Sequence, residues 1–225
     1  MKILQIDSSI LGEHSASRLL TAAVVKRLLA GNEDASVTYR DVARDSLPQI
    51  TATLSNVASV PVEQRSLELQ RDSQGLATVL DEVLGADVIV IGAPMYNFGV
   101  PSQLKSWLDA VAVPGKTFQY DASGVKGLLG DKRVVIASAR GGLYGADTPM
   151  AALDHQETYL RSFFGFLGVT RIWGSPQGCV RRPLSRWFEK AFRHAKQPRR
   201  TPALPKYRRR CQSAQTFALR VAALS

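Results

Sequence analysis

The sequence has little of what metal sites, disulfide frameworks and membrane spans require. Its 225 residues include only two cysteines, Cys179 and Cys211, and three histidines that lie far apart. The cysteines follow neither a C-x-x-C nor a metal-ligand spacing, so we expect no metal site and no oxidising compartment. No apolar run approaches the roughly 18 residues that a membrane-spanning helix needs. Because a strand is predicted at once, over residues 2–7, we expect no secretory signal and a cytoplasmic protein.

The glycine-rich loops of two common nucleotide-binding folds are also missing. No G-x-G-x-x-G follows the first predicted strand, which disfavours a dinucleotide-binding Rossmann unit. Residues 114–117, Pro-Gly-Lys-Thr, end like a P-loop, but the position of its first glycine is Ala110, inside a predicted helix. No pairing of a nucleophile with a base supports a hydrolase.

Acidic residues are almost absent from the last quarter of the chain. Residues 171–225 hold 14 Lys and Arg and a single acid, Glu189, whereas residues 1–170 hold 15 Lys and Arg and 18 Asp and Glu. A mildly acidic domain is therefore joined to a basic tail rich in Arg and Pro. The length suits one domain with a full core.

What the sequence does contain is an alternation of strand and helix patterns. It predicts an α/β fold, with a doubly wound parallel sheet between two helix layers. Residues 46–62 are expected to form a loop, and residues 114–131 a glycine-rich connection with a small hairpin around Phe118 and Tyr120. The strands are predicted over residues 3–7, 36–41, 87–92 and 133–138, and the helices over residues 15–30, 63–84, 102–113 and 151–167.

Three loops are predicted at the carboxyl ends of strands, where open α/β sheets bind ligands. Residues 8–17 bring serine hydroxyls to a helix N-terminus, which suits a phosphate but is equally compatible with an ordinary capped helix. Residues 95–99 could hold a flat heteroaromatic ring or merely cover the sheet end. Residues 140–142, Arg-Gly-Gly, either let backbone amides approach a ligand or form a flexible turn.

Taken in order, these loops resemble those of the FMN-dependent NADH-azoreductases, which are relatives of the quinone reductases and have a flavodoxin-like fold. The resemblance covers residues 1–170. It implies FMN as cofactor, NADH or NADPH as electron donor, and ping-pong transfer of two electrons to quinones or aromatic azo compounds, in a homodimer with active sites at the interface. The segments that carry it are Ser8-Ser9-Ile10-Leu11, Ser15-Ala16-Ser17, Ala93-Pro94-Met95-Tyr96-Asn97-Phe98, Thr117-Phe118-Gln119-Tyr120, Arg140-Gly141-Gly142 and residues 163–168.

The resemblance also implies a role for each loop. Asn97 would orient the flavin ring, and Tyr120 would shape the acceptor pocket, so these two are the candidate catalytic residues. Many relatives have a histidine where this chain has Tyr144, which leaves proton donation at that position open. The candidate FMN-binding residues are Ser9, Ser15, Ala16 and Ser17 for the phosphate, Met95, Tyr96, Asn97 and Phe98 beside the ring, and Ala139, Arg140, Gly141 and Gly142 at its polar edge.

After residue 170 the resemblance ends. The family continues with a fifth strand and a final helix, whereas residues 171–225 become rich in Arg and Pro. We interpret this tail as the product of a reading-frame shift near codon 171, and we expect it to be poorly ordered and to leave the fourth strand at the sheet edge. The alternative is a genuine basic appendage that binds nucleic acid or anionic surfaces, with a cationic amphipathic helix over residues 183–197. In that case the chain could be a non-enzymatic flavin or nucleic-acid-binding module.

Overall fold

The computed structural model describes residues 1–122 and 124–174, and it confirms the alternating order of strands and helices. No helix in this part of the chain is long and apolar enough to cross a membrane. The strands are β1 (Lys2–Asp7), β2 (Ser36–Asp41), β3 (Val88–Pro94), β4 (Phe118–Asp121), β5 (Gly124–Gly127), β6 (Arg133–Ala139) and β7 (Arg171–Gly174); the helices are α1 (Ala16–Leu29), α2 (Ala52–Ser55), α3 (Leu67–Gly85), α4 (Ser102–Val111) and α5 (Glu157–Phe166).

Five strands form a parallel sheet in the order β2-β1-β3-β6-β7. The central strand β3 is buried along its whole length, as its continuous apolar sequence predicts for a sheet covered on both faces. The remaining strands, β4 and β5, form the small antiparallel hairpin expected around Phe118 and Tyr120.

Helices cover both faces of the sheet, which confirms the three-layer prediction. On one face, α1 packs Val24, Val25 and Leu28 against alternate strand residues. On the other face, α3, α4 and α5 enclose the larger core, with the fully buried Trp107 and Phe164. Because side chains alternate along a strand, the two helix layers contact different residues of the same strands.

The expectation that the sheet loses its fifth strand is wrong. β7 pairs in parallel with β6, from Arg133 opposite Arg171 to Ile136 opposite Gly174. Strand pairing needs only an extended backbone, and Ile172 and Trp173 are residue types that strands favour. The fourth strand of the sheet is therefore an inner strand. The predictions for the basic tail beyond residue 174, including its helix over residues 183–197, lie outside the described residues.

Two helices begin later than the sequence pattern predicts, because side-chain caps fix their first turns. The Ser66 hydroxyl accepts the N–H of Leu69 at 3.1 Å, so α3 begins at Leu67 rather than at residue 63. The Asp154 carboxylate accepts the N–H of Gln156, the N-cap residue of α5, and that of Glu157, its first residue; residues 151–153 form a separate 3-10 turn. The predicted loop over residues 46–62 contains α2 and further 3-10 turns.

Candidate functional site

The three candidate loops follow β1, β3 and β6, which are neighbours in the sheet. Parallel strands end at the same edge, so the loops meet there. The Tyr96 hydroxyl lies 3.3 Å from the Ser9 hydroxyl and accepts the N–H of Ile10 at 3.2 Å. The Met95 N–H donates to the carbonyl of Ala139 at 2.8 Å. The structure thus brings the predicted phosphate, ring and polar-edge loops together at the carboxyl edge of the sheet, which is the position of the ligand crevice in open α/β folds.

The first loop ends at the N-terminus of α1, where the Ser15 and Ser17 hydroxyls lie next to each other. The Ser15 hydroxyl accepts the N–H of Arg18 at 3.3 Å and lies 3.0 Å from the Ser17 hydroxyl. In the first helical turn, the N–H groups of Ala16 and Ser17 have no partner within the helix, and they lie at the positive end of the helix dipole. Each hydroxyl has one donor and two acceptor sites, and Ser15 and Ser17 are both buried.

Arg18, which the sequence analysis did not identify, holds the first loop in place. Arg18 holds Asp41, at the end of β2, with two hydrogen bonds of 2.6 and 2.8 Å, and it donates to the carbonyl of Ser9 at 2.8 Å. Burial alone would raise the pKa of Asp41, but hydrogen bonds from Arg18 and from the N–H groups of Arg44 and Ala43 outweigh it and lower this pKa. Asp41 is therefore held as a carboxylate. The sequence signal was a basic residue one position after the serine cluster.

A second buried carboxyl, Asp7, lies at the end of β1. Burial raises its pKa, against the opposing effect of a hydrogen bond from Thr21 and of the positive charge of Arg18. A Cβ at Gly92 on the adjacent strand β3 would lie only 2.6 Å from the Asp7 carboxylate oxygen. Gly92 is therefore required for this carboxyl to pack between the two strand ends.

The second loop turns through two residues with positive φ. Asn97 and Phe98 have φ of 49° and 70°, and Tyr96 and Gly99 exchange both main-chain hydrogen bonds at 3.0 Å. This is the pattern of the two-residue turns that close β-hairpins. A phenylalanine in this conformation is uncommon, and such backbone strain concentrates at ligand-binding sites. The turn leaves the Phe98 ring partly exposed, with its edge toward Tyr144.

In the third loop, the Arg140 side chain points away from the loop surface into a buried ion cluster. Its guanidinium contacts Asp154 at 3.1 Å, Glu157 at 2.9 Å and the amide oxygen of Gln156 at 2.8 Å. Gln156 also donates to the carbonyl of Ala93 at 2.7 Å, which ties the ends of β3 and β6 together. The sequence analysis did not identify these three partners of Arg140, and their roles need tertiary contacts that no local motif carries.

Because the Arg140 side chain is turned away, the main chain is the part of the third loop that can contact a ligand. A Cβ placed on Gly141 would have no heavy atom within 4 Å, so the space in front of it is open. A Cβ on Gly142 would lie 3.3 Å from the ring of Tyr144, so this ring lies beside Gly142. The ring of Tyr144 in turn lies 6.3 Å from that of Phe98. Two aromatic rings and two glycines thus line one end of the crevice.

Tyr120 lies on the hairpin rather than on one of the three loops. Its ring meets Phe118 edge-on at 5.6 Å and is 71% exposed. The hairpin packs against the end of α5, where Phe118 contacts Phe166 at 4.8 Å. The structure does not by itself assign Tyr120 a ligand contact.

The donor set of the crevice matches FMN better than a metal ion. Buried hydroxyls and helix amides suit a phosphate, and the adjoining aromatic and glycine-rich loops suit a flat ring with a polar edge. Within residues 1–122 and 124–174, no group of three His, Cys, Asp or Glu side chains is arranged to hold a metal.

Comparison with known proteins identifies the family. The family described as "Flavodoxin-like fold" matches residues 1–173. The FMN-dependent NADH:quinone oxidoreductase of Sinorhizobium medicae (strain WSM419) is 51% identical over 172 residues, which cover 76% of this chain and 82% of the relative. A protein of Bradyrhizobium diazoefficiens named FMN-dependent NADH:quinone oxidoreductase 2 is 52% identical over 170 residues, or 76% of this chain and 83% of the relative.

Solved structures give the same result for the fold. The crystal structure of an azoreductase from Bacillus anthracis str. Sterne superposes with a TM-score of 0.68 at 27% identity, and the match covers 77% of this chain and 85% of that one. The candidate loops all lie inside the matched residues 1–173. The resemblance in the sequence is confirmed: this chain belongs to the FMN-dependent NADH:quinone oxidoreductase family of flavodoxin-like proteins.

Proposed function

We propose that this chain is an FMN-dependent NADH:quinone oxidoreductase that also reduces aromatic azo compounds. The observation that carries the proposal is that three segments meet at one edge of the sheet. They are the phosphate cradle (residues 8–17), the ring turn (residues 95–99) and the double-glycine loop (residues 140–142). Relatives with this activity in their names share about half of their matched residues with this chain. The alternative of a non-enzymatic binding module is not favoured by these relatives.

We infer a division of labour among the three loops. The hydroxyls of Ser9, Ser15 and Ser17 and the N–H groups of Ala16 and Ser17 hold the FMN phosphate. FMN, when bound, supplies ping-pong two-electron chemistry between NADH and the acceptor. The chain contributes orientation: residues 95–98 flank the ring, Asn97 donates to it, and the main chain of residues 139–142 meets its polar edge.

The acceptor pocket is proposed to lie between two copies of the chain. Tyr120 and Phe98 are exposed aromatic side chains that stack well on quinones and azo compounds. Ile10 and Leu11, in the first loop, are more than half exposed, and apolar surface beside a ligand crevice favours burial by a partner. We therefore propose a homodimer in which the second copy closes each pocket, working in the cytoplasm.

For the basic tail, we propose that the reductase domain extends through β7 to about residue 174 and that the rest of the tail results from a frame shift near codon 171. The family match ends at residue 173, close to the point where the charge changes. Sequencing of the genomic DNA across codon 171 tests this, together with the intact mass of the protein. An uninterrupted frame that encodes the observed mass, together with close relatives that carry the same tail, would refute the frame shift and restore the nucleic-acid-binding appendage as an interpretation.

The function is tested first by the absorption spectrum of the purified chain and by the identity of the cofactor that denaturation releases. We expect stoichiometric FMN, and NADH oxidation that depends on added quinone. Ser15→Ala should weaken FMN binding, whereas Ser66→Ala removes an equivalent helix cap at α3 and should not. A wild-type chain that neither contains nor takes up FMN, or that shows no turnover with FMN bound, would refute the proposal.

A further inference from the structure

Arg18 forms a clamp that uses every donor of its guanidinium. Its five N–H groups make five hydrogen bonds: two to Asp41, at 2.6 and 2.8 Å, two to the carbonyl of Ser9, at 2.8 and 3.3 Å, and one to the hydroxyl of Tyr39, at 3.0 Å. An arginine has five such donors and no acceptor. No N–H of Arg18 therefore remains for a phosphate oxygen, and any effect of Arg18 on a phosphate passes through the groups that it holds.

The group that Arg18 holds is the centre of the first loop. With its carbonyl fixed, Ser9 places its hydroxyl where it accepts the N–H of Leu11 and meets the hydroxyl of Tyr96, each at 3.3 Å. Arg18 also belongs to the first turn of α1, and its own N–H is capped by Ser15. One side chain thus fixes the relative position of the loop and the helix N-terminus, which together form the phosphate cradle.

The clamp is anchored at the end of the edge strand β2. Asp41 ends β2, and one of its oxygens also accepts the N–H groups of Ala43 and Arg44 at 3.1 and 3.2 Å. The ion pair is largely buried, with 17% and 10% of the two side chains exposed. A bidentate pair of this kind restricts both side chains to one geometry, which a lysine cannot reproduce.

We propose that Arg18, through Asp41 and Ser9, is a positioning residue that makes the cradle select the phosphorylated flavin. The inference rests on the proposed function and extends it, since it assigns the discrimination between FMN and riboflavin to a residue that does not touch the phosphate. The phosphate is the group by which the two flavins differ, so a misplaced cradle weakens FMN binding and leaves riboflavin binding nearly unchanged.

The experiment measures dissociation constants of the apo-protein for FMN and for riboflavin by flavin fluorescence quenching. For Arg18→Met we expect FMN affinity to fall about 10- to 100-fold, which is the range found when residues that orient metal ligands are replaced. Riboflavin affinity should stay within about twofold of the wild-type value. Arg18→Lys keeps the charge but not the fork, so it should behave like Arg18→Met. Asp41→Asn, which keeps the side-chain shape, should lower the preference for FMN in the same direction.

Arg40→Met is the matched control. Arg40 forms a bidentate pair with Glu82, both hydrogen bonds being 2.6 Å long, and the two side chains are 18% and 17% exposed. This pair joins β2 to α3, so its loss should leave the ratio of FMN to riboflavin affinity unchanged.

Four results would overturn the inference. Equal losses for both flavins in Arg18→Met and Asp41→Asn would mean general damage, and full recovery in Arg18→Lys would mean that charge alone acts. An unchanged FMN preference in all Arg18 and Asp41 variants would leave the proposed function intact but refute the clamp. A wild-type chain that binds neither flavin would refute the proposed function and the inference with it.

Discussion

Replacing Arg140 by methionine would leave two buried carboxylates beside the third loop without their shared cation. The side chains of Asp154 and Glu157 are each 4% exposed, and that of Arg140 is 8% exposed. Glu157 would keep Arg161, at 2.7 Å, as a partner. Asp154 would keep its main-chain hydrogen bonds at the start of α5 but lose the cation at 3.1 Å. The unpaired charge is therefore concentrated on Asp154.

The size of the effect follows from burial. Removal of one partner from a buried ion pair costs about 3–5 kcal/mol, because the remaining charge cannot be solvated. A whole domain is stable by only about 5–15 kcal/mol. Lys105 and Asp109 form an ion pair of similar length, 2.6 Å, but their side chains are 48% and 44% exposed. Lys105→Met should therefore change the free energy of unfolding by no more than about 0.5 kcal/mol.

The assay is urea unfolding of the FMN-free chain, since bound cofactor would add its own stabilisation. With a slope of about 2 kcal/mol per molar urea, Arg140→Met should lower the midpoint by about 2 M. Adding Asp154→Asn to Arg140→Met should restore at least about 1 kcal/mol, because it neutralises the stranded charge. The reasoning fails if Arg140→Met is as mild as Lys105→Met, or if the second change destabilises the protein further.

Three more predictions concern the ring turn, the hairpin and the clamp. The free energy of unfolding of Phe98→Gly should exceed that of Phe98→Ala by about 0.5–1 kcal/mol, because only glycine adopts the positive φ without steric cost. Equal urea midpoints for the two variants would contradict that conformation. Gly168 has φ of 90°, and a Cβ placed on it would lie only 2.8 Å from a carbonyl oxygen of the hairpin. Gly168→Ala should therefore lower the free energy of unfolding by about 2 kcal/mol or more. In the control Gly75→Ala, the new Cβ lies inside α3 with no atom within 4 Å, so the free energy of unfolding should rise by about 0.5–1 kcal/mol. The pKa of Asp41 is lowered in the folded protein, so its carboxylate stabilises the fold fully above its unfolded pKa of about 3.9, and this stabilisation is lost as the pH falls through the folded pKa. The difference in free energy of unfolding between wild type and Asp41→Asn should therefore shrink in acid. A difference that grows in acid would mean that the pKa shift has the opposite sign.

The sequence predicts the fold well because the parallel sheet leaves a local signal. The buried strand β3 is an uninterrupted apolar run, and α1 is a periodic helix with a serine cap at Ser15. The start of α5 was predicted about six residues too early, because residues 151–153 have helical composition but Asp154 caps the chain after them. The expectation that the sheet has no fifth strand was wrong because the change in charge at residue 171 hid a short segment, β7, that pairs with β6.

The site was predicted only as far as chain position determines it. Loops at strand ends must meet, so the approach of Tyr96 to Ser9 follows from topology. The direction of a side chain does not: Arg140 was predicted at the ring edge, but its guanidinium turns to Gln156 and the acids beside it. Arg18 was missed because its partner Asp41 lies 23 positions away and completes the contact only in the folded chain.

Arg18 and Arg140 each hold one of the candidate loops in place: Arg18 holds the first loop and Arg140 the third. Each is fixed by acidic side chains from a neighbouring element, and each lies behind a loop that offers hydroxyls or main-chain amides to the ligand side. Because buried carboxylates neutralise the guanidinium charges, each arginine can hold its loop without leaving an unpaired buried charge. An enzyme whose cofactor performs the chemistry needs this kind of support, since its own contribution is the fixed position of the groups that hold the ring and the phosphate. The two ion clusters are therefore where substitutions outside direct ligand contact should affect cofactor binding most.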